Sequence, residues 1–413
     1  MTQSSPKCLY CGTPLTATLV DLGLSPLSNS YVPLERAETP DNMYPLHARV
    51  CGSCFLVQVD DVVPADEHFH QDYAYFSSFS QSWLEHCKAF ADTSSARFGL
   101  NQDSTVVEIA SNDGYLLQYF LEKGIRVLGV EPSASVAKVA REKGIDTRIE
   151  FFGDAFAKQL RSEGVKPDLI CSANVLAHVP DIGNFVSGVA SLLSDEGVYT
   201  VEFPHLLNLI NLVQFDTIYH EHYTYLSLVA VERIFRDNGL RIFDVEEIPT
   251  HGGSLRVYAC LEGASHKLTD GVGVVREKEA AAKLDSLEGY LGFETRVETL
   301  RDGLLDYLKE AKAAGRTVVG YGAAAKGNTL LNYSDINSDL IAYVVDKNPA
   351  KQNTLLPGSR IPVHPVEKLY EKRPDDILIL PWNIRDEVVS QLADLRRQGT
   401  RFVTAVPHIE IIE

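Results

Sequence analysis

From Thr105 to Phe203 short apolar runs alternate with helix-patterned segments, and this alternation restricts the fold more than any other feature of the chain. Strands are expected at Thr105–Ile109, Val127–Val130, Asp168–Ser172 and Gly197–Phe203. Helices fall between them: YLLQYFLEKG ending at Gly124, then Ser135–Lys143 and Ile182–Leu193. Strands separated by helices cannot pair as hairpins, so they lie parallel in a sheet covered on both faces. A helix is expected to precede this series (WLEHCKAFADTSSARF), and a strand pair to follow it at Leu240–Glu247 and Ser254–Ala259. Residues from about 275 to 314 carry apolar positions at helical spacing and read as a helical connector. Strand-turn-helix logic then restarts with TVVGYGAAAKGNTLLNY, the beginning of a smaller α/β domain.

The first 60 residues are different. Pro14, Pro26, Pro33, Pro40 and Pro45 block any long helix, and the segment is too small to be stable unaided. Four of the seven cysteines stand here as two C-x-x-C pairs, Cys8/Cys11 and Cys51/Cys54, whereas Cys87, Cys171 and Cys260 are scattered. Four thiolates suit a tetrahedral zinc, and a full set of protein ligands leaves no open position, so the role is structural. Gly12 and Gly52 are expected to make the tight turns. The resulting organisation is a zinc-binding module (1–70), a central domain (71–270), a helical connector (271–316) and a C-terminal α/β nucleotide-binding domain (317–413).

The charge balance limits the partners. Thirty-eight Lys+Arg against 56 Asp+Glu leave a net charge of −18, which disfavours nucleic acid. No apolar run approaches the roughly 20 residues of a membrane span. The start, MTQSSPKCLYCG, lacks a basic region followed by an apolar one, so a cytoplasmic protein is expected.

Three stretches carry chemistry. The turn VVEIASNDG, Val106–Gly114, joins a strand to a helix, with Glu108, Asn112, Asp113 and Gly114 at the place where a ligand can approach the backbone. Glu131 closes the next strand, where a carboxylate can accept both ribose hydroxyls of a nucleoside. The acidic surroundings favour a cationic ligand, and S-adenosylmethionine carries a sulfonium. Asn174 would then lie near its methionine or sulfonium end, with Phe151 and Phe152 flanking the adenine. The second stretch is Tyr219-His220-Glu221-His222-Tyr223, five consecutive proton donors or acceptors. On an extended segment His220 and His222 would share one face, opposite Tyr219 and Glu221. His178 follows an apolar strand, at the end of a sheet where ligands bind. The aromatic and hydroxyl cluster Tyr73–Ser78, which includes Tyr75, reads as a lid over this region. Third, GYGAAAKG (Gly320–Gly327) offers backbone N–H groups and Lys326 at a helix start, with Asp346 and Lys351 after the next strand. Gly320-x-Gly322-x-x-Ala325 also matches a dinucleotide fingerprint formally, which keeps an NAD-dependent oxidoreductase in view.

Taken together, the double C-x-x-C start, E-x-x-x-N-D-G, Y-H-E-H, the H-G-G-S of His251–Ser254 and G-Y-G-A-A-A-K-G give the chain a resemblance. It resembles the zinc-containing, S-adenosylmethionine-dependent sugar C-methyltransferases over essentially its whole length. One departure is Ala110, where class I methyltransferases commonly have glycine. The resemblance implies a class I methyltransferase sheet in the central domain, and a nucleotide diphosphate ketosugar as substrate, a dTDP-linked 4-keto-6-deoxy sugar above others. Methyl transfer would go to the carbon beside the ketone. It points to His222 as base, with Tyr75, His178, Tyr219 and Glu221 orienting groups or stabilising an enolate. Ala110 and Pro132 join the cofactor-binding residues. Tyr75, His251, Ser254, Tyr321, Lys326, Asn328, Asp346 and Lys351 would meet the substrate. A non-catalytic zinc-bearing binding protein and an O-methyltransferase are the remaining alternatives.

Overall fold

The structure, a computed structural model, describes residues 6–60 and 77–412. The proline-rich start forms strands β1 (Ala17–Ser25), β2 (Val32–Pro33), β3 (Tyr44–Val50) and β4 (Val57–Val59). Helix α1 (Gln81–Phe98) opens on the Ser80 side chain, which accepts from Trp83 N, and stops at Gly99, whose φ of 64° is left-handed.

The expected alternation follows: β5 (Thr105–Ile109), α2 (Leu117–Leu121), β6 (Arg126–Val130), α3 (Ala134–Glu142), β7 (Thr147–Arg148), α4 (Asp154–Ser162), β8 (Leu169–Ala173), α5 (Ile182–Leu192) and β9 (Val198–Pro204). Next come α6 (Leu206–Asn211), β10 (Thr224–Tyr225), α7 (Leu228–Asp237), β11 (Leu240–Ile248) and β12 (Ser254–Leu261). The sheet order is β7-β6-β5-β8-β9-β12-β11, parallel except for β12, which runs antiparallel to both neighbours. From β5 the chain winds outward to β7, then returns to β8 on the other side. Such a switch point leaves a crevice at the carboxyl ends of β5 and β8. Burial on both faces explains the strand composition: Val107 and Ile109 pack with α5 and α7 residues, and Val106 packs with α1 and α2 residues.

Helices α8 (Asp270–Ala281) and α9 (Phe293–Ala313) lead to β13 (Val318–Tyr321), α10 (Ala325–Tyr333), β14 (Val344–Val345), β15 (Thr354–Leu355), β16 (Pro362–His364), β17 (Asp376–Ile379), β18 (Arg401–Thr404) and β19 (Glu410–Ile412). The 271–316 stretch is more than a connector. Val297, Leu300, Leu304, Leu308 and Ala311 of α9 share one core with Leu19, Val20 and Leu46 of the zinc module and with Leu330 and Leu378 of the C-terminal sheet. Burying a leucine in such a core stabilises by about 2 kcal/mol, so the parts are welded rather than strung together.

Among the described residues, two strand pairings cross between parts. β2 adds to the C-terminal sheet beside β15, and β10 adds to the zinc-module sheet beside β4. The second pairing fixes Thr224 and Tyr225 immediately after the Y-H-E-H-Y stretch. No helix among the described residues is long and apolar enough to cross a membrane.

Candidate active site

The four N-terminal sulfurs lie within 4.8 Å of one another, with Cys8–Cys54 at 3.6 Å and Cys11–Cys51 at 3.5 Å. A tetrahedral zinc with about 2.3 Å bonds sets its sulfurs about 3.8 Å apart, so the donor set fits the ion. Each pair sits on a tight turn: Gly12 N donates to Cys8 O and Phe55 N to Cys51 O. In the first turn the left-handed residue is Gly12, φ 70°. In the second it is Phe55, φ 58°, and not Gly52 as the sequence reading had it. The turn places its left-handed residue after the second cysteine in both knuckles, and at that position the chain happens to carry phenylalanine.

The crevice at β5 is built from backbone. Ser111 crosses the end of β6 so closely that a Cβ on Gly129 would lie 2.4 Å from Ser111 Oγ. Gly114 is left-handed (φ 77°), and so is Ala110 (φ 55°), at the position where glycine would be free of strain. Glu131 accepts from Asn112 N at 3.0 Å and Ser133 N at 2.8 Å, and burial pushes its carboxyl up to about 7. Each oxygen still has a lone pair, which suits two ribose hydroxyls. Asn174, left-handed with φ 57°, ends β8, and its buried Oδ1 has no partner among the described residues. A carboxylate and an orphan amide oxygen across one crevice fit S-adenosylmethionine, a nucleoside joined to a cationic amino acid. Glu108 is buried deeper, its carboxyl held well above the usual range by burial, with the Tyr115 hydroxyl beside it. Asp113 meets Lys143 at 3.7 Å. Pro132 is half-buried beside Glu131, Phe152 packs edge-on against Phe185 at 5.4 Å, and Phe151 is exposed.

The 219–223 segment is a turn and not a strand, because His222 N donates to Tyr219 O at 2.9 Å. This reverses the expected facing. Tyr219 and His222 come together, their rings 4.0 Å apart, while His220 turns away and donates through Nε2 to Pro45 O at 3.1 Å in the zinc module. His222 Nδ1 lies 3.0 Å from the Thr217 carbonyl, and Tyr219 Oη lies 2.8 Å from Nε2. A carbonyl only accepts, so Nδ1 carries the proton and Nε2 takes the tyrosine O–H. His178, in the one-turn helix Leu176–His178, has its ring 4.6 Å from His222 and donates from Nδ1 to Glu221 O at 2.7 Å. Both imidazoles therefore present Nε2 as their basic nitrogen. Desolvation lowers His178 to about 4 and keeps His222 well below its ordinary value. Glu221 accepts from Asn29 Nδ2 at 2.7 and 2.9 Å, and burial raises its carboxyl. Tyr75 lies outside the described residues, with all of 61–76.

The C-terminal residues divide. Lys326, at the start of α10, donates to Asn383 Oδ1 at 2.8 Å and stands 4.5 Å over the Trp382 ring, and its charge is felt by Asp216, His222 and His251. Lys351 donates to Ala323 O at 2.8 Å, over the Tyr31 ring at 5.2 Å and in the field of Glu221 and Asp346. Asp346 accepts from Ala323 N and Asn348 N, both at 2.7 Å. His251 is left-handed (φ 56°), edge-on to Trp83 at 5.5 Å, and lowered to about 4 by burial. Its Nδ1 has no partner among the described residues.

Three residues expected to meet the substrate make side-chain bonds within the protein, although Asn328 Oδ1 keeps no partner among the described residues. The Tyr321 hydroxyl bonds Gln391 at 2.9 Å in the C-terminal core, since alternate residues of β13 face opposite ways. Asn328 donates to Ser28 O at 2.6 Å and ties α10 to the N-terminal loop. Ser254 Oγ closes its own turn on Thr250 O at 2.9 Å. Sequence reasoning missed Trp83, Asp216, Trp382 and Asn383. One signal was available: the chain has only two tryptophans, and both pack at the His251-Gly252 turn.

Against this geometry the comparisons with known proteins are consistent along the chain. The family described as "C-methyltransferase C-terminal domain" matches residues 249–407, "Methyltransferase domain" matches 83–245, and "Putative zinc binding domain" matches 8–69. C-methyltransferase NovU of Streptomyces niveus is 32% identical over 406 residues, 98% of this chain and 96% of that protein. Among solved structures, magnesium protoporphyrin IX methyltransferase (ChlM) from Synechocystis PCC 6803 is 20% identical, covering 43% of this chain and 81% of that chain, with a TM-score of 0.34. The 1,6-didemethyltoxoflavin-N1-methyltransferase of Burkholderia thailandensis is 18% identical over 50% of this chain and 94% of that chain, with a TM-score of 0.36. The chain belongs to the family of zinc-containing, S-adenosylmethionine-dependent C-methyltransferases.

Proposed function

We propose that this C-methyltransferase acts on a nucleotide-linked 4-keto-6-deoxy sugar, a dTDP sugar above others, and methylates the ring carbon beside the ketone. The observation that carries the reading is the Tyr219–His222 pair: a neutral imidazole whose basic Nε2 is bonded to a phenol, with His178 beside it. A proton on carbon is acidic here only because its loss makes an enolate, so the reaction needs a base and a donor at the ketone oxygen. The pair supplies both. When the Tyr219 hydroxyl turns to the ketone oxygen, the Nε2 lone pair of His222 is freed to take the proton from the adjacent carbon. Thr217 O holds the other ring nitrogen, so the imidazole keeps its orientation as it becomes charged.

S-Adenosylmethionine supplies an electrophilic methyl group when bound. The chain's own residues hold and orient the partners: Glu131 takes the ribose, Asn174 the methionine or sulfonium end, and Phe151 with Phe152 the adenine edge. His251 lines the sugar cleft. Lys326, Lys351 and Asp346 of the C-terminal domain receive the nucleotide diphosphate. Bringing donor and enolate carbon into line converts much of the barrier into prior binding.

The test is mass spectrometry of the protein with S-adenosylmethionine and a panel of nucleotide ketosugars. A gain of one methylene mass on a dTDP-4-keto sugar is expected; methylation confined to sugars without a ketone would overturn the reading.

A further inference from the structure

Hydrogen bonds from the C-terminal domain reach the segment that supports the Tyr219–Tyr223 turn. Trp382 Nε1 donates to Asp216 Oδ2 at 2.7 Å. Asp216 is fully buried in a one-turn helix, Phe215–Thr217, and the Thr217 carbonyl is the one that accepts His222 Nδ1 at 3.0 Å. Neighbouring contacts grip the same few residues. Gln214 Nε2 donates to Gly252 O at 2.8 Å, and Thr329 Oγ1 of α10 donates to Ile218 O at 3.0 Å. Trp382 also closes over Gly252, where a Cβ would lie 2.4 Å from the indole. The indole therefore cannot shift without moving either the 251–252 turn or the segment that carries the Thr217 carbonyl.

We propose that Asp216 and Trp382 form an interdomain latch, and that Asp216 is a positioning residue for His222. With the latch made, Thr217 O is fixed, the His222 proton stays on Nδ1, and the lone pair stays on Nε2. With it broken, the short helix is free to turn and the imidazole can take either tautomer. A carboxylate suits the task because a hydrogen bond to a charged acceptor is roughly twice as strong as a neutral one. Lys326, over the same indole at 4.5 Å, balances its charge. The use of His222 as base rests on the function proposed above; the latch itself rests on the contacts.

The variants D216A, D216N and W382F, with the D216A/W382F pair, are compared in two ways. Nitrogen-15 histidine NMR, with the His222 signal assigned by its loss in H222Q, reads the tautomer without any substrate. One Nδ1–H form is expected in the wild type and in D216N, and a mixture in D216A and W382F. Turnover of dTDP-4-keto-6-deoxyglucose with S-adenosylmethionine is expected to drop roughly 10- to 100-fold in kcat in D216A and in W382F and no further in the pair, with cofactor affinity unchanged and D216N close to the wild type. Rescue by D216N separates a positioning role from simple loss of fold. A single unchanged tautomer in W382F, or losses that multiply in the pair, would overturn the latch. A wild type inert toward the sugar would refute the proposed substrate and leave the tautomer to decide the latch.

Discussion

Tyr219 Oη donates to His222 Nε2 across 2.8 Å, and the direction of that bond is set on the far side of the ring, by the Thr217 carbonyl at Nδ1. His222→Ala should therefore lower kcat by roughly 10² to 10⁴-fold, the range for loss of a positioned base, while leaving S-adenosylmethionine affinity nearly intact. Tyr219→Phe should lower kcat with little change in KM, because it removes the donor proposed for the ketone oxygen as charge develops. Steady-state kinetics on both variants check this; wild-type turnover in His222→Ala would exclude it as base.

Acid should unfold the site from its histidines. His178 and His251 sit at about 4 when folded, below the unfolded value of about 6.5. The unfolded chain thus binds more protons between these values. Stability is full above pH 6.5 and is lost as pH falls toward 4, by at most about 1.4 kcal/mol per unit per histidine, less where a ring edge meets solvent. Thermal melts across this window should show a steady fall in Tm, flattened in the double variant H178Q/H251Q.

Cofactor affinity should follow Glu131. Its folded carboxyl titrates near 7, and the ionised form is the better acceptor for ribose hydroxyls. Binding should thus strengthen as pH rises, by about 10-fold between pH 6 and 8, since a group with a pKa of about 7 is only about a tenth ionised at pH 6. Glu131→Ala should weaken binding by about 1 to 3 kcal/mol and abolish that dependence. Calorimetry at the two pH values decides the matter; a flat profile in the wild type would refute it.

Much of this was legible in the sequence, for physical reasons. Parallel strands buried on both faces write themselves as apolar runs, and left-handed helix ends write themselves as glycines such as Gly124, φ 74°. Thiolates that share an ion appear as paired cysteines. Facing within Y-H-E-H-Y was not legible: five polar residues carry no apolar period, so a turn and a strand read alike, and His220 was wrongly set beside His222. Nor could any local pattern announce that Val32 pairs with Leu355, or that Trp382 reaches Asp216. Such contacts are fixed by how finished modules dock.

Zinc should matter beyond the module that holds it. Gln58 Oε1 accepts Leu9 N at 2.8 Å beside Cys8, Gln58 belongs to β4, and β4 pairs with β10 directly after the Tyr219–Tyr223 turn. One zinc per chain is expected by metal analysis. The Cys51→Ser variant should melt at lower temperature and also lose turnover while retaining cofactor affinity. Zinc-free protein of full activity would contradict the connection.

Lys326→Met should raise KM for the nucleotide sugar and leave S-adenosylmethionine binding unchanged, if the amine receives the nucleotide diphosphate as proposed. Tight NAD binding that survives competition with dTDP would argue for a different occupant of that domain.

The most direct test uses S-adenosylmethionine with a carbon-13 methyl group, dTDP-4-keto-6-deoxyglucose and the wild-type protein, followed by NMR of the product. The account predicts a labelled methyl signal with one-bond carbon coupling to the ring carbon beside the ketone, absent when His222 is alanine. A labelled methoxy signal, or the same carbon-linked product formed at an undiminished rate by His222→Ala, would contradict it.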